Sequence, residues 1–269
     1  MSERYLEGKT ALVTGSVQGI GLAIAEALGA AGARVAVHGL ADSATAEAAM
    51  DAVTAAGAPE VCFFDHDLRA AAGIDALMDG VARWGGADVL VNNAGIQKTA
   101  PLAEVPPETW SAILDVNLSA AFHTLRRALP TMAERGYGRV VNVASVHGLV
   151  ASKHKAPYVS AKFGLVGLSK VAALEYADAG DRARGGVTVN CIAPGWTETA
   201  IIEPQIQARA AELGGDRAAG IRSLLSEKQP SLRTSDPKEI GAVTTWLCHP
   251  VAHNITGVVL PVDGGWTAQ

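Results

Sequence analysis

Aromatic side chains are scarce in this chain of 269 residues: they make up 5% of it, although hydrophobic residues together reach 49%. Alanine, valine, leucine and glycine must therefore fill most of the core. Small side chains of this kind suit helices that pack closely on a parallel sheet. Because no repeat and no low-complexity linker interrupts the sequence, we predict one domain over residues 1–269.

Runs of basic residues, paired cysteines and long apolar stretches are also missing. The formal charge of -5 argues against a nucleic-acid partner. Cys62, Cys191 and Cys248 are odd in number and far apart, which predicts no disulfide framework and favours a reducing, cytoplasmic location. No stretch approaches the about 18 apolar residues of a membrane span, and Gly15 breaks the first apolar run, so we expect no membrane partner and no signal peptide.

Short β-rich runs alternate along the chain with long, alanine-rich helical stretches. The first strand is expected in "TALVTG" (10–15), and one long helical stretch runs from Pro107 to Arg135. This alternation predicts βαβ units with right-handed crossovers. The expected fold is an α/β, Rossmann-type, doubly wound three-layer α/β/α sandwich with a mainly parallel, seven-stranded sheet. Residues 196–230 are too long for a plain connection, and we predict a substrate lid there.

A glycine loop follows the first predicted strand in "TGSVQGIG", with Gly15, Gly19 and Gly21. Gly15 permits a sharp turn, Gly19 lets a pyrophosphate approach the backbone, and Gly21 lets the next helix pack near the strand. Free N–H groups at the helix start favour the anion. Taken on its own, such a glycine pattern could also form only a tight turn that binds no ligand.

The segment "YVSAKFG" places Tyr158 one helical turn before Lys162. Residues i and i+4 share a helix face, so the ammonium is expected to lower the pKa of the phenol toward neutral pH, where an acid/base is most useful. An ordinary half-buried aromatic residue is the alternative reading of these two positions alone.

The G-xxx-G-x-G spacing resembles the short-chain dehydrogenase/reductase family. Further motifs occur in that family's order: "NNAG" (92–95), Asn117, Ser145, the YxxxK pair and "PGWTET" (194–199). The resemblance implies that the glycine loop, "NNAG", the YxxxK pair, the 194–195 segment and the pair Asp67 and Leu68 bind the cofactor. The implied cofactor residues are Gly15, Gly19, Ile20, Gly21, Asp67, Leu68, Asn93, Ala94, Gly95, Tyr158, Lys162, Pro194 and Gly195.

The same resemblance implies four catalytic roles. Tyr158 is the general base in alcohol oxidation and the acid in carbonyl reduction, while Ser145 orients the substrate oxygen. Lys162 lowers the Tyr158 pKa and holds the ribose, and Asn117 helps to retain a water that relays the proton. The hydride chemistry belongs to the nicotinamide cofactor.

The end of the second strand decides which nicotinamide cofactor we expect. A 2′-phosphate would favour Arg or Lys there, yet neither residues 38–42 nor residues 16–18 contain a cation. We therefore expect NAD. The acidic residue that commonly binds the ribose is also missing, because His38 begins this segment, and Asp42 is expected to cap the next helix.

The substrate end carries residues beyond the general family pattern. They resemble those of members acting on a short 3-hydroxy acid, which implies that Gln97, His147, Lys155 and Gln205 bind a small carboxylate substrate beside Ser145 and Tyr158. Trp196 and Trp266 are expected to close a wall around a methyl group. The implied reaction interconverts (R)-3-hydroxybutyrate and acetoacetate. Each residue alone also fits an ordinary solvated, loop or packing role.

Alternatives remain open at this point. The chain could act on another small hydroxy acid or a polyol, or it could bind NAD as a sensor or scaffold without turnover. The pair His249 and His253 has metal-ligand spacing, but Pro250 interrupts the helix between them, so we expect no metal. The resemblance also implies a homotetramer, with a four-helix interface formed by residues 107–135 and 157–177.

Overall fold

The computed structural model describes residues 4–200 and 202–268, so Ile201 of the predicted lid and the ends of the predicted domain lie outside the described residues. Within them, seven parallel strands form one sheet in the order β3-β2-β1-β4-β5-β6-β7. The strands are β1 (Thr10–Val13), β2 (Arg34–His38), β3 (Val61–Phe64), β4 (Val89–Asn92), β5 (Tyr137–Val143), β6 (Gly186–Pro194) and β7 (Val259–Val262).

Helices cover both faces of this sheet, which confirms the predicted Rossmann-type three-layer sandwich. One face carries α1, α2 and α9, and the other carries α3 to α6. The helices are α1 (Gly19–Ala30), α2 (Ser43–Ala56), α3 (Ala71–Arg83), α4 (Pro107–Leu114), α5 (Ala120–Arg135), α6 (Ala156–Glu175), α7 (Glu203–Glu212), α8 (Arg217–Ser226) and α9 (Pro237–Leu247).

The strands are apolar throughout because successive side chains enter different cores. Ala11 and Val13 of β1 join the core with α1, α2 and α9, whereas Leu12 joins the core with α3 and α5. All three are fully buried. Side chains alternate between the two faces of a strand, and a sheet covered on both faces therefore needs continuous apolar strands.

Small residues let the helical layer pack closely. A Cβ on Gly241 of α9 would stand 2.6 Å from the carbonyl oxygen of Ala23 in α1, closer than atoms approach in proteins. Glycine at this crossing therefore sets how near the two helices lie. This explains how a chain with few aromatic residues fills its core.

Two long segments each contain more than one helix. The stretch from Pro107 to Arg135 is not one regular α-helix, because residues Asp115–Ser119 form a π-helical turn between α4 and α5. The segment 196–230, predicted as a substrate lid, contains the packed pair α7 and α8. In the part of the chain that is described, no helix has the length and hydropathy needed to span a bilayer.

Candidate active site

A cavity of about 610 Å³ lies where the carboxyl ends of the strands meet. Ligands in doubly wound sheets bind at this edge. Every residue that the sequence predicts for cofactor or substrate binding lines the cavity. Among the predicted site residues, Asn117 does not line it and borders a small neighbouring void instead.

The glycine loop has the geometry that its spacing predicts. Gly15 has a φ of +62°, in the left-handed region, and an added Cβ would lie 2.9 Å from Ala94 Cα. A Cβ on Gly21 would lie 2.1 Å from the Gly15 carbonyl oxygen, so only glycine lets α1 start this close to β1. Gly19 also has a positive φ of +59°, but an added Cβ would lie 3.6 Å from the Thr199 side chain, an ordinary van der Waals contact.

The start of α1 suits a negatively charged ligand. Gln18 occupies the N-cap without a side-chain hydrogen bond, and the first turn carries no acidic residue. The N–H groups of a first helical turn have no partner inside the helix, and the helix dipole adds positive potential there. The cavity wall also contains the buried Thr197, whose Oγ1 lacks a hydrogen-bond partner in the structure. These donors fit a dinucleotide pyrophosphate and its nicotinamide end.

Asn93 ties the fourth strand to the glycine loop. Its Nδ2 donates to the carbonyl oxygens of Thr14 at 2.9 Å and Gly15 at 2.8 Å. In return, Thr14 Oγ1 accepts from the backbone N–H groups of Asn93 and Ala94, at 3.0 and 3.1 Å. The "NNAG" motif therefore fixes the glycine loop against the end of β4.

His38 joins the glycine loop to the loop that follows β3. Its Nδ1 accepts from the Gly15 N–H at 3.2 Å, and its Nε2 donates to the His66 carbonyl oxygen at 2.9 Å. These partners fix the neutral Nε2–H tautomer. Burial lowers the pKa of His38, which favours the same neutral ring. Since both nitrogens are engaged, His38 offers no charge to a ribose phosphate.

The cavity wall after β3 contains an ion pair that the sequence pattern does not predict. Arg69 Nε donates to Asp67 Oδ2 at 2.9 Å, and this hydrogen bond lowers the pKa of the carboxyl group. Arg69 also lines the cavity. The prediction for Asp42 is confirmed: it caps α2 and accepts from the Thr45 N–H at 2.8 Å.

Tyr158 and Ser145 lie together on the cavity wall. The Ser145 side chain accepts from the His147 N–H at 3.1 Å, which fixes the serine just after β5. Part of the Tyr158 ring is accessible from the cavity, yet surrounding protein desolvates the hydroxyl and raises its pKa. The hydrogen bond with Ser145 opposes this increase by favouring the ionised phenol.

Lys162 differs from the sequence expectation in this structure. Its Nζ donates to the Val143 carbonyl oxygen at 2.7 Å and lies 5.7 Å from the centre of the Tyr158 ring. Burial lowers the Lys162 pKa to about 8. The ammonium is thus held by the end of β5, and the Tyr158 pKa is raised instead of lowered.

Asn117 lies in the π-helical turn and is almost completely buried. Its Oδ1 accepts from the Ile96 N–H at 2.9 Å, and its Nδ2 donates to the Ile96 carbonyl oxygen at 3.0 Å. The side chain therefore fixes the segment between the cofactor loop and Gln97. π-Helical turns inside longer helices occur frequently at functional sites.

Lys155 and His147 form a polar corner of the cavity. Lys155 Nζ donates to His147 Nε2 at 3.3 Å, because the protonated Nδ1 faces the Val150 carbonyl oxygen at 3.3 Å. Burial, followed by the Lys155 charge, lowers the pKa of His147 to about 4. Burial, followed by the Lys228 charge, lowers the pKa of Lys155 to about 8. The ring is therefore neutral and the ammonium charged at neutral pH.

Two tryptophans form the apolar wall of the same corner. The Trp196 and Trp266 rings stack with centroids 6.0 Å apart and planes inclined by 26°. His147 meets the Trp266 ring edge-on, with centroids 5.5 Å apart. Gln97 follows β4 and Gln205 lies on α7, so the structure brings both amides to the cavity from separate segments.

Two residues that contact the tryptophan wall without lining the cavity were not predicted from the sequence. The Lys228 Nζ lies over the Trp266 ring, 5.4 Å from its centroid. Gln229 is buried, and its Oε1 accepts from the Trp196 N–H at 3.2 Å. Both belong to "LLSEKQPSL", a stretch whose polar residues look like ordinary helix-end residues when no tertiary contact is known.

Comparisons with known proteins place this site in a family. The family model described as short chain dehydrogenase matches residues 9–210. The chain is 46% identical to D-beta-hydroxybutyrate dehydrogenase of Cupriavidus necator, over 98% of this chain and 100% of the relative. It is 41% identical to the Rhizobium meliloti protein of the same name, over 97% of this chain and 99% of that one.

A solved structure with a similar fold is L-sorbose reductase from Gluconobacter frateurii, which was solved in complex with NADPH and L-sorbose. It superposes with a TM-score of 0.91, covers 100% of both chains and is 29% identical. The same architecture thus serves a neutral sugar and NADPH in that protein.

Proposed function

The chain belongs to the short-chain dehydrogenase family, and we propose that it is an NAD-dependent 3-hydroxybutyrate dehydrogenase that interconverts (R)-3-hydroxybutyrate and acetoacetate. Family membership and its dehydrogenase relatives make it an oxidoreductase, which removes the alternative of an NAD sensor or scaffold. The two relatives with hydroxybutyrate dehydrogenase names support the substrate.

One observation carries the proposal: a charged ammonium without a carboxylate partner lies beside the proposed acid/base. Lys155 takes part in no salt bridge among the described residues, although it is largely shielded from water. A desolvated cation of this kind favours an anionic ligand. Lys155 and Tyr158 line the same cavity at the start of α6, so a short substrate can reach both.

The proton chemistry belongs to Tyr158. When bound, the reduced nicotinamide supplies a hydride to the substrate carbonyl carbon. Tyr158 gives its hydroxyl proton to the carbonyl oxygen, which becomes the alcohol, and in the reverse direction the phenolate takes that proton back. Ser145 holds the oxygen beside Tyr158. A raised Tyr158 pKa keeps the phenol protonated at neutral pH, as ketone reduction requires.

Lys162 and Asn117 are proposed to support this step by positioning the cofactor and the neighbouring segments. Lys162 is proposed to hold the ribose of the cofactor, and its bond to Val143 keeps its ammonium at the base of the cavity. Asn117 is proposed to keep Gln97 and the "NNAG" segment in place and to help retain a water for proton relay. Both roles fit residues whose side chains are almost fully buried.

NAD is the proposed cofactor. The uncapped start of α1 receives the pyrophosphate, while Asp67 and Leu68 border the adenine. A 2′-phosphate would find a neutral His38 and no cation at residues 38–42. Arg69 is the nearby cation on the wall, and it is paired with Asp67.

The substrate carboxylate is proposed to bind Lys155, with His147, Gln97 and Gln205 around it. The methyl group then packs against Trp196 and Trp266. A second candidate is a neutral polyol or another small hydroxy acid, because the similar solved fold binds L-sorbose. A neutral polyol would leave the Lys155 ammonium without a counter-ion, which favours the carboxylate.

We further propose a homotetramer that works in the cytoplasm. Large apolar side chains are exposed on α5 and α6, including Phe122, Phe163 and Leu174. Exposed apolar patches on helices commonly mark subunit interfaces. The free thiols of the described chain persist in a reducing compartment. Light scattering of the purified protein should give four times the chain mass, and a monomer mass would refute the tetramer.

The direct experiment follows NADH absorbance while acetoacetate is added to the purified enzyme. Loss of NADH is expected, together with NAD reduction by the R but not the S enantiomer of 3-hydroxybutyrate. Turnover of L-sorbose with no turnover of acetoacetate would replace this proposal with the polyol reading.

A further inference from the structure

Lys228 connects the end of the 196–230 segment to the loop that carries Lys155. It lies two residues after α8, and its Nζ donates to Ser152 Oγ at 2.7 Å. Ser152 belongs to the loop between β5 and α6, three residues before Lys155. This contact joins two segments that are 76 residues apart in sequence.

The backbone beside Lys228 is also held in place. The Gln229 N–H donates to the Leu225 carbonyl oxygen at 2.7 Å, and the buried Gln229 side chain accepts from the Trp196 N–H. The backbone that carries Lys228 is therefore fixed by hydrogen bonds on its C-terminal side. Its ammonium lies 5.4 Å from the Trp266 ring centroid, and His147 meets the same ring edge-on.

This corner is positively charged and contains no described counter-ion. Lys155 and Lys228 both act electrostatically on His147, and Lys228 acts on Lys155. The groups that face Lys155 are the neutral His147 ring, the Trp196 ring and Lys228. The ion pairs of the described residues involve neither lysine.

Two like charges held together in a half-buried corner cost free energy unless an anion joins them. We propose that Lys228 is a positioning and specificity residue: it anchors the end of the 196–230 segment over Lys155 and supplies the second cation of a carboxylate subsite. This inference rests on the proposed function, since it concerns the corner assigned to the substrate carboxylate. Through its charge, Lys228 would favour an anionic substrate although its side chain does not line the cavity.

The role has two separable parts. The Ser152 bond fixes where the ammonium lies, so Ser152→Ala keeps the charge and loosens its position. Lys228→Met keeps the length of the side chain and removes the charge, while Lys228→Arg keeps a cation. Lys153→Met removes one positive charge from an exposed position of the same loop and is the matched control.

The test measures acetate binding, because acetate presents the carboxylate alone and needs no turnover. Acetate is titrated into the enzyme saturated with oxidised cofactor, and tryptophan fluorescence is followed because Trp196 and Trp266 border the site. Lys228→Met should weaken acetate binding by at least ~5-fold, as expected for the loss of one nearby charge. Ser152→Ala should have a smaller effect, and Lys228→Arg and Lys153→Met should stay within about 2-fold of the wild type.

A pH series separates an electrostatic role from a structural one. Acetate affinity should fall as Lys155 loses its proton, with a wild-type midpoint near its pKa of about 8. Removing the neighbouring positive charge in Lys228→Met should raise the Lys155 pKa, so the midpoint should move to higher pH. A loosened corner would also hydrate Lys155 and raise its pKa, because burial is the main cause of the lowered value. Lys228→Arg and Ser152→Ala keep the positive charge, so they should leave the midpoint near the wild-type value if the charge of Lys228 causes the shift.

The outcomes are decisive for each claim. No acetate binding by the wild type, equal binding by Lys228→Met and Lys153→Met, or an unmoved midpoint would each overturn the role of Lys228. If the wild type binds acetate as predicted yet does not turn over acetoacetate, the proposed reaction fails while the anion subsite stands. If acetoacetate is reduced normally by Lys228→Met, the reaction stands and the inference fails.

Discussion

Lys155 Nζ lies 3.3 Å from His147 Nε2 and donates a hydrogen bond to it. Because His147 Nδ1 faces the Val150 carbonyl oxygen, the imidazole accepts from the lysine and holds its ammonium toward the cavity. From the sequence, His147 is expected to bind the carboxylate alongside Lys155. In the structure, the His147 ring instead positions the Lys155 ammonium.

The first prediction concerns proton transfer. Tyr158→Phe keeps the ring but removes the proposed acid/base, so turnover should fall by at least ~100-fold. NADH binding, measured by fluorescence, should change little because the ring still packs on the wall. Turnover within a few-fold of the wild type would show that another group donates the proton.

The second prediction concerns the cofactor. The neutral, doubly hydrogen-bonded His38 gives a 2′-phosphate no compensation for its charge. NAD should therefore exceed NADP by at least ~10-fold in kcat/KM, the worth of one missing charged contact. Equal efficiencies would mean that Arg69 leaves Asp67 and binds the phosphate, and Arg69→Ala would then restore the preference for NAD.

The third prediction separates two glycines of one loop. Gly21→Ala places a methyl group 2.1 Å from the Gly15 carbonyl oxygen, so it should lower the melting temperature and reduce the yield of folded protein. Gly19→Ala has space around the new methyl group, so it should lose NAD affinity with a small stability cost, about 1 kcal/mol for a left-handed alanine. Equal effects of the two variants on stability would contradict these assignments.

The fourth prediction concerns acid stability. The folded-state pKa of His147, about 4, lies below the ordinary 6.5 because burial and Lys155 favour the neutral ring. Below pH 6.5 the unfolded chain binds the extra proton first. The contribution of the neutral His147 ring to the free energy of unfolding is therefore fully present above pH 6.5. It is lost as the pH falls toward 4, by up to roughly 3 kcal/mol.

Melting temperatures measured between pH 7 and pH 4 test whether protonation of His147 destabilises the folded protein. His147→Gln should show a shallower fall in melting temperature than the wild type. His154→Asn changes an exposed histidine of the same loop and should follow the wild type. Parallel curves for all three proteins would mean that His147 does not contribute to acid sensitivity.

The sequence predicted the sheet and the cavity wall well because both depend on local patterns. Continuous apolar runs mark strands buried on both faces, and the residues after strands meet at one edge. The glycine spacing likewise reflects local backbone requirements, as the positive φ of Gly15 and the contact at Gly21 demonstrate. These features need no knowledge of distant contacts.

The remaining features depend on tertiary contacts that spacing does not encode. Lys162 shares a helix face with Tyr158, but its ammonium bonds the Val143 carbonyl oxygen of a neighbouring strand. The π-helical turn at Asn117 is hidden within an apolar pattern that reads as one helix. Lys228 reaches Ser152 across 76 residues, so its sequence neighbours give no sign of that contact.

The central claim is that Lys155 binds a substrate carboxylate beside Tyr158. The most direct measurement compares wild type and Lys155→Ala, each with acetoacetate and with the neutral ketone 2-pentanone. A charged hydrogen bond is worth about 1.5–3 kcal/mol, so Lys155→Ala should lose roughly 10- to 150-fold in kcat/KM for acetoacetate. The wild type should use 2-pentanone poorly, and the substitution should leave that rate unchanged. Equal losses for both substrates would contradict the claim and assign Lys155 to the support of Tyr158.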